Sequence, residues 1–134
     1  MAKFPGWWGG GRTRGRIMQA DADLRMRRSE AEDLKSAIDF NVRSTFLELQ
    51  ASSEQMKVAT RSRELAGQQL THARDRFAAG VASNIEVIQA QEAVAASSEQ
   101  YIAAFYAYNS AKAGLARDLG EAEALAVRLL GGGK

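Results

Sequence analysis

From Arg12 to Ala79, apolar or small side chains recur at Ile17, Ala20, Leu24, Ala31, Leu34, Ile38, Val42, Thr45, Leu49, Met56, Ala59, Ala66, Leu70, Ala73 and Phe77. Their steps of three, four and seven are a heptad seam, the pattern of a coiled coil rather than of a globular-domain helix. At 1.5 Å per residue this first helix would be about 100 Å long. A second seam, Val87, Gln91, Val94, Ser98, Tyr101, Phe105, Tyr108, Lys112, Leu115 and Leu119, predicts a helix from Asn84 to about Leu119. Beside it runs another stripe, Ile88, Ala95, Ile102 and Ala116. A helix with two apolar stripes and many alanines is built to be packed on more than one side.

Between the two seams stands Arg76-Phe77-Ala78-Ala79-Gly80-Val81-Ala82-Ser83-Asn84-Ile85-Glu86-Val87. Gly80 suits a helix C-terminus because it takes positive φ without steric cost, with Val81 placed for the hydrophobic contact that accompanies such a cap. Ser83 and Glu86 form S-x-x-E, a capping box that opens the next helix. So short a connection, residues 80–83, makes the helices antiparallel neighbours. The expected fold is all-α: a long antiparallel helical hairpin of coiled-coil type, residues 12–120, with helices of unequal length. The shorter second helix would reach back only to about the level of residue 45. The seam from Ile17 to Val42 then lacks a partner within the chain, so other chains or further parts of this one are needed to cover it.

Residues 1–11, MAKFPGWWGGG, read as a glycine-rich lead-in or the truncated end of a β-strand, in which case Trp7 and Trp8 would mark a membrane interface. Residues 121–134 read as a short helix and a flexible glycine tail, with Gly120 capping the second helix. The single proline is Pro5, so nothing but isolated glycines opposes helix after Arg12. No apolar run of about 18 residues or more suggests a transmembrane helix.

A formal net charge of +2 on 134 residues is too mild to imply a nucleic-acid partner. Locally, Arg12, Arg14, Arg16, Arg25, Arg27 and Arg28 crowd the start of the first helix, where cations oppose the macrodipole. Without interleaved aromatics this is a solvated or lipid-headgroup-facing rim rather than a nucleic-acid site. Cysteine is absent, which removes disulfide and thiolate chemistry. His72 is the single histidine and reads as a partly exposed helix residue, and no nucleophile, phosphate-loop or metal-ligand spacing occurs. Asp21 and Asp23 are out of phase on a helix and do not converge. The expectation is a protein that is not an enzyme and uses no cofactor or metal.

The turn and second helix, RFAAGVASNIEVIQAQEAV and YIAAFYAYNSAKAGLARDLG, resemble the second structural repeat of the TolC-like outer-membrane efflux proteins. That pattern joins an aromatic, a turn Gly, Ser or Thr, an acid followed by Val, then Tyr, Ala, Tyr-x-Tyr and a closing Leu-Gly. Phe77, Gly80, Ser83, Glu86, Val87, Ala90, Tyr101, Ala104, Tyr106, Tyr108, Ala111, Leu115, Leu119 and Gly120 stand at those places. The Gly10-Gly11-Arg12 step also resembles the repeat's strand-to-helix entry.

The resemblance implies a homotrimeric α-barrel/β-barrel channel, located in the cell outer membrane and the periplasm. In it this chain would be a fragment, a periplasmic tunnel hairpin, exporting small molecules or proteins with an inner-membrane pump and a periplasmic adaptor. A signal peptide, a first repeat and most strands would lie outside these residues. It also implies that the turn sits at the periplasmic entrance, with Phe77, Gly80, Val81, Ser83, Glu86 and Gln89 around it. Glu86 matches the first acidic position there, and Gln89 stands where some members carry a second acid. Phe77 and Ala82 occupy the positions of a tyrosine and an arginine that can tie the tip shut, so that bond network cannot be drawn here. The alternative is a free-standing hairpin that self-associates as a coiled-coil scaffold or adaptor, without nucleic acid.

Overall fold

The computed structural model describes residues 7–131, with side chains from residue 11 onward. It contains two α-helices, α1 (Trp7–Ala78) and α2 (Asn84–Gly131), and no strand among the described residues. Among them, no helix is long and apolar enough to cross a membrane. The chain divides into two units, residues 1–40 and 41–134.

In the first unit, helix already begins at Trp7, so Gly10 and Gly11 are helical and not a lead-in or a strand-to-helix entry. Each interior glycine costs about 1 kcal/mol relative to alanine, but every residue added to a formed helix gains a hydrogen bond without a new nucleation cost. The strand-end reading of residues 1–6 lies outside the described residues. The earlier start also puts Arg12 more than one turn inside the helix, beyond the reach of the terminal dipole. Nearly all of residues 11–40 are exposed, with Ala31 half-buried and Ile38 buried.

The second unit is the hairpin. Three contacts set its register: the Thr45 hydroxyl lies 3.0 Å from an Asp118 carboxylate oxygen, the Arg63 guanidinium sits 4.8 Å from the centre of the Tyr101 ring, and Arg76 lies 3.6 Å from Glu86. The helices are therefore antiparallel about the turn. With that register, two heptad columns on each helix face the partner. The larger side chains, Val42, Leu49, Met56 and Leu70, come level with Ala122, Leu115, Tyr108 and Val94, and all eight are half-buried. The smaller ones, Thr45, Ser52, Ala59, Ala66 and Ala73, come level with Asp118, Ala111, Ala104, Ser97 and Ala90. This small column holds Ala59, Ala66, Ala73, Ala104, Ser97 and Asp118, the buried residues of the unit.

A column of small residues lets two backbones approach closely, which increases dispersion contact per turn. Serine serves in it because its hydroxyl is satisfied by its own helix: Ser52 donates to the Leu49 carbonyl and Ser97 to the Val94 carbonyl, each at 3.0 Å. Ser52 and Ser97 thus pack almost as alanines do.

The second seam differs from the sequence reading by one residue. Gln91, Phe105, Lys112 and Leu119 are exposed, Phe105 at 48%, while Ala90, Ala104, Ala111 and Asp118 face α1 instead. Phe77, expected to face α2, is likewise 49% exposed. Hydrophobicity favours the larger residues of two adjacent columns, whereas close backbone approach selects the smaller. Helix α2 also runs past Leu119 and through Gly120 to Gly131. Gly120 has no positive φ, the strong helix formers Glu121 to Leu125 follow it, and Ala122 and Leu125 are half-buried. Val42, expected to lie in an uncovered seam, is half-buried in consequence; residues 132–134 lie outside the described part.

Candidate functional site: the hairpin turn

The turn is built by backbone geometry. Gly80 has φ 72°, the single positive φ among the described residues. The Val81 amide donates to the Arg76 carbonyl at 2.9 Å and the Gly80 amide to the Phe77 carbonyl at 3.0 Å. This six-to-one and five-to-two pair is the Schellman motif, which satisfies carbonyls that the end of α1 would leave bare. Val81, placed for the hydrophobic contact that accompanies such a cap, is left 69% exposed. No atom lies within 4 Å of a Cβ built on Gly80, so the demand for glycine is conformational and not steric. Gly80→Ala should accordingly cost about 1–2 kcal/mol, read as a lower thermal midpoint by circular dichroism, with the hairpin contacts otherwise unchanged. An unchanged midpoint would show that the turn tolerates a left-handed L-residue and that Gly80 is not what closes α1.

Ser83 stands immediately before α2, but the expected side-chain capping box is not formed. The Glu86 amide donates to the Ser83 backbone carbonyl at 3.2 Å. The Glu86 carboxylate instead reaches across the turn to Arg76 at 3.6 Å. Arg76 lies in the last turn of α1 and Glu86 in the first turn of α2, so each charge sits at the helix end whose dipole favours it. Both side chains are nearly half exposed, so the pair itself is worth less than about 1 kcal/mol. The sequence reading missed Arg76, although an acid opening one helix and a base closing the previous one is a recognisable signal.

Alongside this pair runs an open groove, lined near the tip by Gln69, His72, Arg76, Glu86 and Gln89 over a floor of Ala73 and Ala90. The structure brings Glu86 and Gln89 together there with Arg76, while Phe77, Val81 and Ser83 do not line it. The groove continues along the hairpin between Gln55 and Ser62 of α1 and Ala103 and Ala107 of α2. On α2, the column beyond the large one carries exposed Phe105 and Leu119, and the next carries exposed Ile88 and Ile102. One flank of the hairpin is thus an apolar ridge and the other a groove with a floor of alanines and mostly polar walls. Asp118, which the sequence reading passed over, lies away from the tip, 5% exposed in the small column and 3.7 Å from Arg117.

A family model described as outer membrane efflux protein matches residues 9–121, which take in nearly all of α1, the turn and most of α2. No curated protein and no solved structure matches the chain at a significant level.

Proposed function

Because the chain belongs to the outer membrane efflux protein family, a family of channels and not of enzymes, we propose that its hairpin is a wall element of a periplasmic export tunnel. In this reading the full-length protein is a homotrimer in the outer membrane, working with a periplasmic adaptor and an inner-membrane pump. The turn faces the periplasmic entrance, where Glu86 supplies negative charge and Gln89 a neutral polar group.

One observation carries the proposal: the hairpin's two flanks are different and complementary. The ridge of Ile88, Ile102, Phe105 and Leu119 presents large side chains, and the opposite groove presents Ala103, Ala107 and Ser62 between Gln55, Val58 and Gln100. A ridge packed into a neighbour's groove is a heterologous contact, which repeats around an axis and closes a ring when the rotation allows. A free-standing scaffold that pairs ridge to ridge would stop at a two-fold dimer.

The chain has no cysteine, so crosslinks report placed residues alone. Phe105→Cys combined with Ser62→Cys, oxidised under mild conditions, should yield a ladder of linked chains on a denaturing gel. Each single variant should stay unlinked. Efficient dimer formation by Phe105→Cys alone would mean ridge-to-ridge pairing and would overturn the tunnel-wall reading.

A further inference from the structure

We propose that residues 16–35 of α1 are a docking surface for the same segment of a second copy of the chain, lying parallel and in register. The assignment stands on this segment alone and goes beyond the ridge-and-groove contact of the hairpin. Every residue of the segment is exposed except half-buried Ala31. Along it, Ile17, Leu24 and Ala31 recur at seven-residue steps, with Ala20 and Leu34 on the adjacent column three residues on. This is the spacing of a two-column coiled-coil seam. Ile17, Leu24 and Leu34 are 63%, 48% and 48% exposed, so the seam is open. The apolar side chains on the other face form no second seam. Met18 shares its column with Arg25 and Glu32, Met26 with Gln19 and Asp33, and Ala22 with Ser29.

The charges beside the seam name the partner. One flank carries Arg16, Asp23 and Glu30, and the other Asp21, Arg28 and Lys35. In a parallel pair in register, each residue of the first flank faces the residue five positions later on the other copy. Arg16 then meets Asp21, Asp23 meets Arg28 and Glu30 meets Lys35, and each pairing forms on both sides of the seam. Every one joins opposite signs. Among the described residues, Asp21 alone of these groups has an ion pair within the chain, to Arg25 at 3.2 Å.

Other alignments set like charges together. Sliding one copy by seven residues brings Arg16 against Arg14 on one side and Arg28 on the other, and Asp23 against Asp21. An antiparallel copy turns each flank toward its own kind, and over the same seam it leaves Asp23 facing Asp23 or Glu30. An exposed ion pair contributes little by itself, but like charges across an interface oppose pairing, so charge selects the alignment. Arg27 occupies the remaining seam position, where it meets its counterpart and weakens the pairing.

The chain has no cysteine, so one introduced thiol reports whether a residue meets its own counterpart. In a glutathione redox buffer, the whole chain carrying Ala20→Cys should link into dimers many-fold more than the chain carrying Ser29→Cys, which lies away from the seam. Added to Ala20→Cys, either Asp23→Arg or Arg28→Asp should lower the linked fraction several-fold. Mixing those two variants in equal amounts should restore it, because each arginine then meets an aspartate. Arg27→Leu should raise it. Circular dichroism of each variant separates lost pairing from lost helix, and helicity should be unchanged. Equal linking through Ala20→Cys and Ser29→Cys, or no recovery in the mixture, would overturn the assignment. More linking between Ala20→Cys and Ala31→Cys chains than within either alone would make the pairing antiparallel and overturn it as well.

Discussion

Ala66→Leu will lower the thermal midpoint of the chain by about 5–15 °C, while Ala113→Leu will leave it almost unchanged. Ala66 is buried in the small column, whereas Ala113 lies exposed on the opposite face of α2. Leucine and alanine are both good helix formers, so intrinsic propensity does not separate the two sites. What separates them is room. Added methylenes at Ala66 must push against α2 at the level of buried Ser97, and overpacking of this kind costs about 1–3 kcal/mol. For a chain of this length each kcal/mol moves the midpoint by a few degrees. The check is a circular dichroism melt of both variants at one concentration. A rise in midpoint for Ala66→Leu would mean the interface has slack, and the close-packed column would not be what holds the hairpin.

The second large effect is expected at the polar layer of the same column. Thr45→Val keeps the shape of the side chain but removes the hydroxyl, whose single hydrogen is shared between the Asn41 carbonyl at 2.8 Å and the Asp118 carboxylate at 3.0 Å. Asp118 is 5% exposed and is left with the mostly exposed Arg117 at 3.7 Å. A buried acceptor wholly deprived of its donor costs about 1–3 kcal/mol, which is the upper bound for Asp118 because the hydroxyl is shared. Changing both partners, Thr45→Val with Asp118→Leu, removes the unsatisfied group together with its donor, and such double replacements are often near neutral or stabilising. The column accommodates leucine toward this end, since Leu125 occupies its next position and is half-buried. The double variant should therefore recover most of the stability lost by Thr45→Val. Strictly additive losses in denaturant melts would show that Thr45 and Asp118 do not act as a pair.

Asp118 has no counterpart in the sequence reading, and the reason is general. The heptad search ranks positions by hydrophobicity, and an aspartate between Leu115 and Leu119 reads as a surface residue. Only its level opposite Thr45 shows that it closes a layer of the core. Glu86 is a related case. S-x-x-E is compatible with a capping box, but a carboxylate beside Arg76 has a charged partner to choose over the amide of Ser83, and the turn geometry decides which it meets.

The sequence by itself determined the helices, the position of their reversal and the family. Alanine-rich heptads without proline leave helix as the favoured backbone, Gly80 can adopt a φ that other residues resist, and a short connection makes the helices antiparallel. These are local properties, set within a few residues of chain. Tertiary structure alone decided which of two adjacent columns on α2 enters the core, because Ala104 and Phe105 differ by one step of rotation and the closeness of the two backbones selects the smaller. It decided also that α2 continues through Gly120, since a glycine caps a helix only where the chain must turn away, and here Ala122 and Leu125 carry the buried face onward.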